Sequence, residues 1–118
     1  MKTPWGRYEI IESGKLPSGD EYWMKELIIL PGEWISLQSH LFRTEVWMVK
    51  EGRASAQLGD LSGSLELEEI LVIPQGVKHR AINETNKVLI IRELAYGKIC
   101  REEDIVRYKD KYGRQNIS

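Results

Sequence analysis

Residues 36–47 read SLQSHLFRTEVW and place Gln38, His40 and Glu45 within eight positions: an amide, an imidazole and a carboxylate. The chain has one other histidine, His79, far downstream in IPQGVKHRAIN (73–83). If the first stretch is extended, side chains 38 and 40 share a face, because successive residues of a strand alternate. A short turn over 41–44 and a returning strand from Glu45 then bring the carboxylate alongside. Imidazole nitrogen, amide oxygen and carboxylate oxygen form a borderline-hard donor set. That set suits one divalent ion such as Zn²⁺, Mn²⁺, Fe²⁺, Co²⁺ or Ni²⁺ rather than Cu(I). His79 is the imidazole that would complete four protein ligands and leave positions open for water or substrate.

The elements that must carry these donors read as strands. Pro74 closes an apolar run and Gly76 re-aims the chain, so that His79 opens the next element. Segments of β composition follow one another at 7–13, 21–30, 33–40, 45–52, 54–59, 64–69, 69–74, 79–84 and 87–96, separated by Gly, Pro, Asp and Ser. Many short strands with turn chemistry between them predict an antiparallel sandwich or barrel. Leu65 and Leu67 alternate with Ser64, Glu66 and Glu68, which predicts a half-buried strand there. Only REEDIVRYKDKYGR (101–114) predicts a helix. Ile105, Tyr108 and Tyr112 fall on one side, acids precede and lysines follow as the helix dipole favours, and Gly113 is a stop.

With 118 residues the chain is expected to form one domain, 1–118, large enough to fold without a metal or disulfide. A net charge of -1 with 30% charged residues offers no basic face for nucleic acid and no polybasic membrane patch. Its uniformly apolar runs stop at four residues (LIIL, ILVI, VLII), far short of the roughly 20 needed to cross a bilayer. No signal-peptide h-region follows the N-terminus. The lone Cys100 fits a reducing compartment, so a cytoplasmic location is expected.

PGEWISLQSHLFRTEVWMVKEG and IPQGVKHRAIN resemble the two sequence motifs of the cupins. Gly32, Gln38, His40, Glu45 and Gly52 occupy the positions of the first motif, with Gln38 where a histidine usually stands. Pro74, Gly76, His79 and Asn83 occupy those of the second, whose leading glycine is replaced by Glu68. TPWGRYEII at the start and the I-V-R and Y-G-R segments at the end narrow the resemblance. They are similar to the C-terminal cupin part of type II mannose-6-phosphate isomerase, usually fused to a mannose-1-phosphate guanylyltransferase domain. The likeness spans residues 3–114 and departs from the family at Phe42 and Val46, where histidines are usual.

The resemblance implies an all-β fold, a single jelly-roll β-barrel with a short C-terminal helix. It implies a divalent metal held by Gln38, His40, Glu45 and His79. The expected ligand is a small sugar phosphate, with Arg43, Lys78 or Arg80 as substrate-binding cations. The expected activity is metal-dependent aldose–ketose isomerisation between mannose 6-phosphate and fructose 6-phosphate. The alternative is a metal- and sugar-binding module without turnover. No residue stands out as the base, and a homodimer is the expected assembly.

Overall fold

The computed structural model describes residues 1–116. Eleven strands make up all the regular structure among them: β1 (Lys2–Thr3), β2 (Gly6–Lys15), β3 (Glu21–Ile29), β4 (Leu37–Ser39), β5 (Arg43–Glu51), β6 (Ala54–Leu58), β7 (Leu61–Leu65), β8 (Ile70–Ile73), β9 (His79–Ile82), β10 (Leu89–Gly97) and β11 (Val106–Lys109). They form two antiparallel sheets. The larger has the order β1-β2-β3-β10-β5-β8 and the smaller β11-β4-β9-β6-β7. The expected all-β, two-sheet architecture is therefore present.

Alternation explains why these sequences become these strands. In β5 the side chains of Arg43, Glu45, Trp47 and Val49 are buried while Thr44, Val46 and Met48 are partly exposed. β10 repeats the pattern with Leu89, Ile91, Glu93 and Ala95 inward. Ile29, Trp47, Val49, Leu89 and Ile91 are fully buried and pack with Ile35, Leu65, Ile73 and Ala81 between the sheets. Strand β5 ends where Gly52 takes φ +84, and a Cβ there would lie 2.8 Å from the Val88 carbonyl oxygen. Glycine is thus the residue that lets the chain reverse beside β10.

Two local expectations need correction. The C-terminal segment is not helical: Val106 and Arg107 pair with Ser39 and Gln38 of β4, so this stretch is an edge strand. A lone helix of that length has marginal stability, and a free sheet edge offers its backbone ready partners. Leu67 is also outside the strand that carries Leu65. β7 ends at Leu65, Glu68 adopts φ 68 in the following turn, and Leu67 is 55% exposed. No helix among the described residues is long and apolar enough to cross a membrane.

Register sets the site. Gln38 of β4 lies opposite His79 of β9 on one side and Arg107 of β11 on the other. Glu45 of β5 lies opposite Ala95 of β10 and Ile73 of β8, on the facing sheet. The smaller sheet therefore supplies His79, the turn that leaves β4 supplies His40, and the larger sheet supplies the carboxylate.

Candidate metal centre

His40, Glu45 and His79 are all buried, with one donor atom from each within 4.8 Å of the others. His40 Nε2 is 3.3 Å from Glu45 Oε2, and His79 Nε2 is 3.4 Å from Glu45 Oε1. The two imidazole rings are 5.0 Å apart between centroids. His40 Nδ1 lies 2.7 Å from the Asp104 carbonyl oxygen, and His79 Nδ1 lies 2.9 Å from that of Val77. A carbonyl oxygen only accepts, so each Nδ1 carries the proton, and in the neutral ring each Nε2 is a bare lone pair. This is how outer hydrogen bonds commonly fix the tautomer of a metal-ligating histidine.

The donor set fits a cation. Glu45 Oε1 and His79 Nε2 are both buried without a hydrogen-bond partner among the described residues. With the ring neutral they face one another lone pair to lone pair at 3.4 Å, an arrangement that a positive ion between them would satisfy. Burial, aided by Arg43 and His79, holds the His40 imidazole down to about 4, so it stays neutral and able to ligate. Burial alone would raise the Glu45 carboxyl. The Arg43 guanidinium, which donates to Glu45 Oε2, opposes burial, and the group is held below the usual carboxylate range.

Arg43 seals the cluster on one side. Its Nε donates to Glu45 Oε2 at 2.9 Å, Nη2 lies 3.2 Å from His40 Nε2, and Nη1 donates to the Arg101 carbonyl at 2.7 Å. The guanidinium also stacks on Trp23, 4.6 Å from the ring centroid. Every part of this cation is engaged. The turn between β4 and β5 is fixed from the far end of the chain, because Asp104 accepts the backbone N–H groups of Leu41 and Phe42, each at 2.9 Å.

A cavity of about 400 Å³ reaches the cluster through Gln38, Arg43 and Glu45, and its wall includes Lys25, Glu93 and Arg107. That size accommodates a small metabolite. Gln38 is on the cavity wall, with its Oε1 accepting the Ser36 hydroxyl at 3.0 Å. The structure thus brings together Gln38, His40, Arg43, Glu45 and His79.

It does not bring in Lys78 or Arg80, which do not line this cavity. Arg80 follows His79 along an alternating strand, so it points to the other face, where it donates to Gln57 and lies over Trp34. Lys78 is exposed and sits over the Tyr108 ring. Sequence reasoning missed Lys25, Glu93, Asp104 and Arg107. Only the period-two pattern of β3 and β10, which buries a charge among apolar neighbours, could have pointed to Lys25 and Glu93.

Comparison with known proteins places this arrangement. Residues 1–110 match the family described as Mannose-6-phosphate isomerase C-terminal. A mannose-1-phosphate guanylyltransferase of Salmonella montevideo is 38% identical over 111 residues, covering 94% of this chain and 22% of that protein. The xanthan biosynthesis protein XanB of Xanthomonas campestris pv. campestris is 37% identical, covering 94% and 23%. The chain therefore spans less than a quarter of the length of these relatives. A cupin 2 conserved barrel domain protein from Salinispora arenicola superposes with a TM-score of 0.64 at 16% identity, covering 75% of this chain and 73% of that one, which shows the cupin fold. These names correct the isomerase expectation. The relatives are named for guanylyl transfer and polysaccharide biosynthesis, not for interconversion of mannose and fructose phosphates.

Proposed function

The chain belongs to the Mannose-6-phosphate isomerase C-terminal family, and from that premise we propose that it serves mannose 1-phosphate guanylyl transfer as a cupin module binding a divalent metal and a mannose phosphate. The observation that carries the metal half is the buried, unpartnered pair Glu45 Oε1 and His79 Nε2. The names of the relatives carry the choice of ligand. His40, Glu45 and His79 would hold the ion, with Gln38 as a fourth donor from the cavity wall. A bound divalent ion would act as a Lewis acid toward an oxygen of the ligand. The chain's own residues bury the donors, fix both imidazole tautomers and keep Glu45 ionised.

Elemental analysis of protein purified without chelator or a histidine tag, followed by calorimetric titration with mannose 1-phosphate, tests the proposal. Near-stoichiometric divalent metal and saturable binding are expected. Metal-free protein after reconstitution, or metal-loaded protein that ignores the sugar phosphate, would overturn it.

A second copy of the chain is the proposed partner. Met24, Leu94, Val46 and Val72 stand side by side in one row across the outer face of the larger sheet. Three nine-residue strands about 30 Å long and the four-residue β8 about 13 Å long, all about 4.8 Å apart, give a footprint of roughly 500 Å². That is more than half of the roughly 800 Å² per partner of a standard interface. Sedimentation of a Leu94→Glu variant against the unaltered chain checks it: the proposal expects a dimer that the variant splits.

A further inference from the structure

Four cations are buried or half-buried in the cavity wall, and three of them are already neutralised. Lys25 pairs with Glu102, and Arg43 donates to Glu45. Arg114 forks onto Asp110, with Nε to Oδ2 at 2.8 Å and Nη2 to Oδ1 at 3.1 Å. Arg107 is the exception. Among the described residues it forms no salt bridge within 4.0 Å, and its buried Nε has no hydrogen-bond partner. A buried guanidinium N–H without an acceptor is costly, and an anion would remove that cost.

The position of Arg107 is fixed by the sheet. It lies opposite Gln38, which lies opposite His79, so the three residues form one row on the inner face of the smaller sheet. Both backbone groups of Arg107 are held from outside, its N–H by the Asn116 side chain at 2.8 Å and its carbonyl by the Asn116 N–H at 2.9 Å. The guanidinium is thus presented from a fixed base, next to the amide that faces the metal cluster.

We propose that Arg107 is the anion anchor of this cavity, gripping the phosphate of a phosphorylated sugar whose hydroxyl-bearing end faces Gln38 and Glu45. Arg43, the cation nearest the cluster in sequence, is spent on Glu45, His40 and two backbone carbonyls. Arg107 retains its fork for a planar pair of phosphate oxygens. Burial and the neighbouring Arg114 lower the Arg107 pKa, against the opposing pull of Asp110 and Glu102. The assignment rests on this cavity being the mannose phosphate site proposed above.

Calorimetric titrations of the metal-loaded full chain with mannose 1-phosphate, mannose and inorganic phosphate, repeated on Arg107→Ala and Arg107→Lys, test it. Arg107→Ala is expected to weaken mannose 1-phosphate binding on the order of 10- to 100-fold with metal content unchanged. Arg107→Lys restores part of the affinity as a single-point contact, and it guards against a folding defect at the sheet edge. Equal binding by wild type and Arg107→Ala overturns the anchor while leaving the mannose phosphate reading standing. Arg107-dependent binding of inorganic phosphate without any of mannose 1-phosphate supports the anchor and overturns that reading. Wild-type protein that binds neither phosphate overturns both.

Discussion

Glu45 Oε1 and His79 Nε2 face each other at 3.4 Å across the gap between the two sheets, and neither has a hydrogen-bond partner among the described residues. The strands that carry them are held apart in sequence by the whole β6–β8 excursion, so only the folded barrel creates this pair.

The first prediction follows directly. His79→Ala and Glu45→Ala each remove one donor from the cluster of His40, Glu45 and His79. Divalent metal content, near one per chain in the parent, is expected to fall below about a tenth in both variants. Retention of stoichiometric metal in both would place the ion elsewhere.

Asp104 holds the site from a distance. Its carboxylate accepts the Leu41 and Phe42 N–H groups, and its carbonyl accepts His40 Nδ1–H. Asp104→Ala removes the carboxylate clamp but leaves the carbonyl, so the turn loosens while the imidazole keeps its tautomer. A stability loss of about 1–2 kcal/mol is expected in denaturant titration. Metal affinity should fall on the order of tenfold, measured by competition with a chromophoric chelator.

Much of this site was legible in the sequence, and the reason is local. Gln38, His40, Arg43 and Glu45 sit in one strand–turn–strand stretch, and alternation alone aims them. His79 was legible because its Pro-x-Gly approach is a turn signal. Asp104 and Arg107 were not legible. The spacing of Ile105, Tyr108 and Tyr112 fits a helix, and nothing in those residues reveals that β4 leaves an open edge for Val106 and Arg107 to fill. Arg80 erred the other way: it adjoins His79 in sequence, yet adjacency along a strand means opposite faces.

Glu93 carries a pH signature. It is buried, and its two oxygens accept the indole N–H of Trp23 at 2.9 Å and of Trp47 at 3.0 Å. Burial first, and then the Glu45 carboxylate, push its carboxyl from 4.5 up to about 7. Between those values the folded state binds more protons than the unfolded one. The stability this group contributes is therefore whole below the unfolded value and lost as pH rises toward 7. His40 acts in the opposite sense, its contribution being lost as pH falls from 6.5 toward 4. Following the Trp23 and Trp47 indole resonances in metal-free protein isolates Glu93: both should titrate together near pH 7, and not at all in Glu93→Gln. A midpoint at an ordinary carboxylate value would remove the burial argument.

Gly97 shows how tightly the sheet constrains the site. It lies opposite Arg43 in the β10–β5 pair, and a Cβ there would stand 2.0 Å from the Phe42 carbonyl oxygen and 2.9 Å from Arg43 Cα. No side-chain rearrangement relieves a clash with backbone, so Gly97→Ala must push the start of β5 away from β10. A loss of about 1–3 kcal/mol in stability is expected from such overpacking. Because the displaced segment carries Arg43 and leads into Glu45, metal affinity should fall with it. Gly63→Ala is the control, since a Cβ there meets nothing within 4 Å. Thermal midpoints and chelator competition on the two variants separate the outcomes: Gly97→Ala loses both properties, Gly63→Ala neither. If Gly97→Ala lost stability alone, the position of β5 would not govern the donor geometry, and the site would be set by the Asp104 clamp instead.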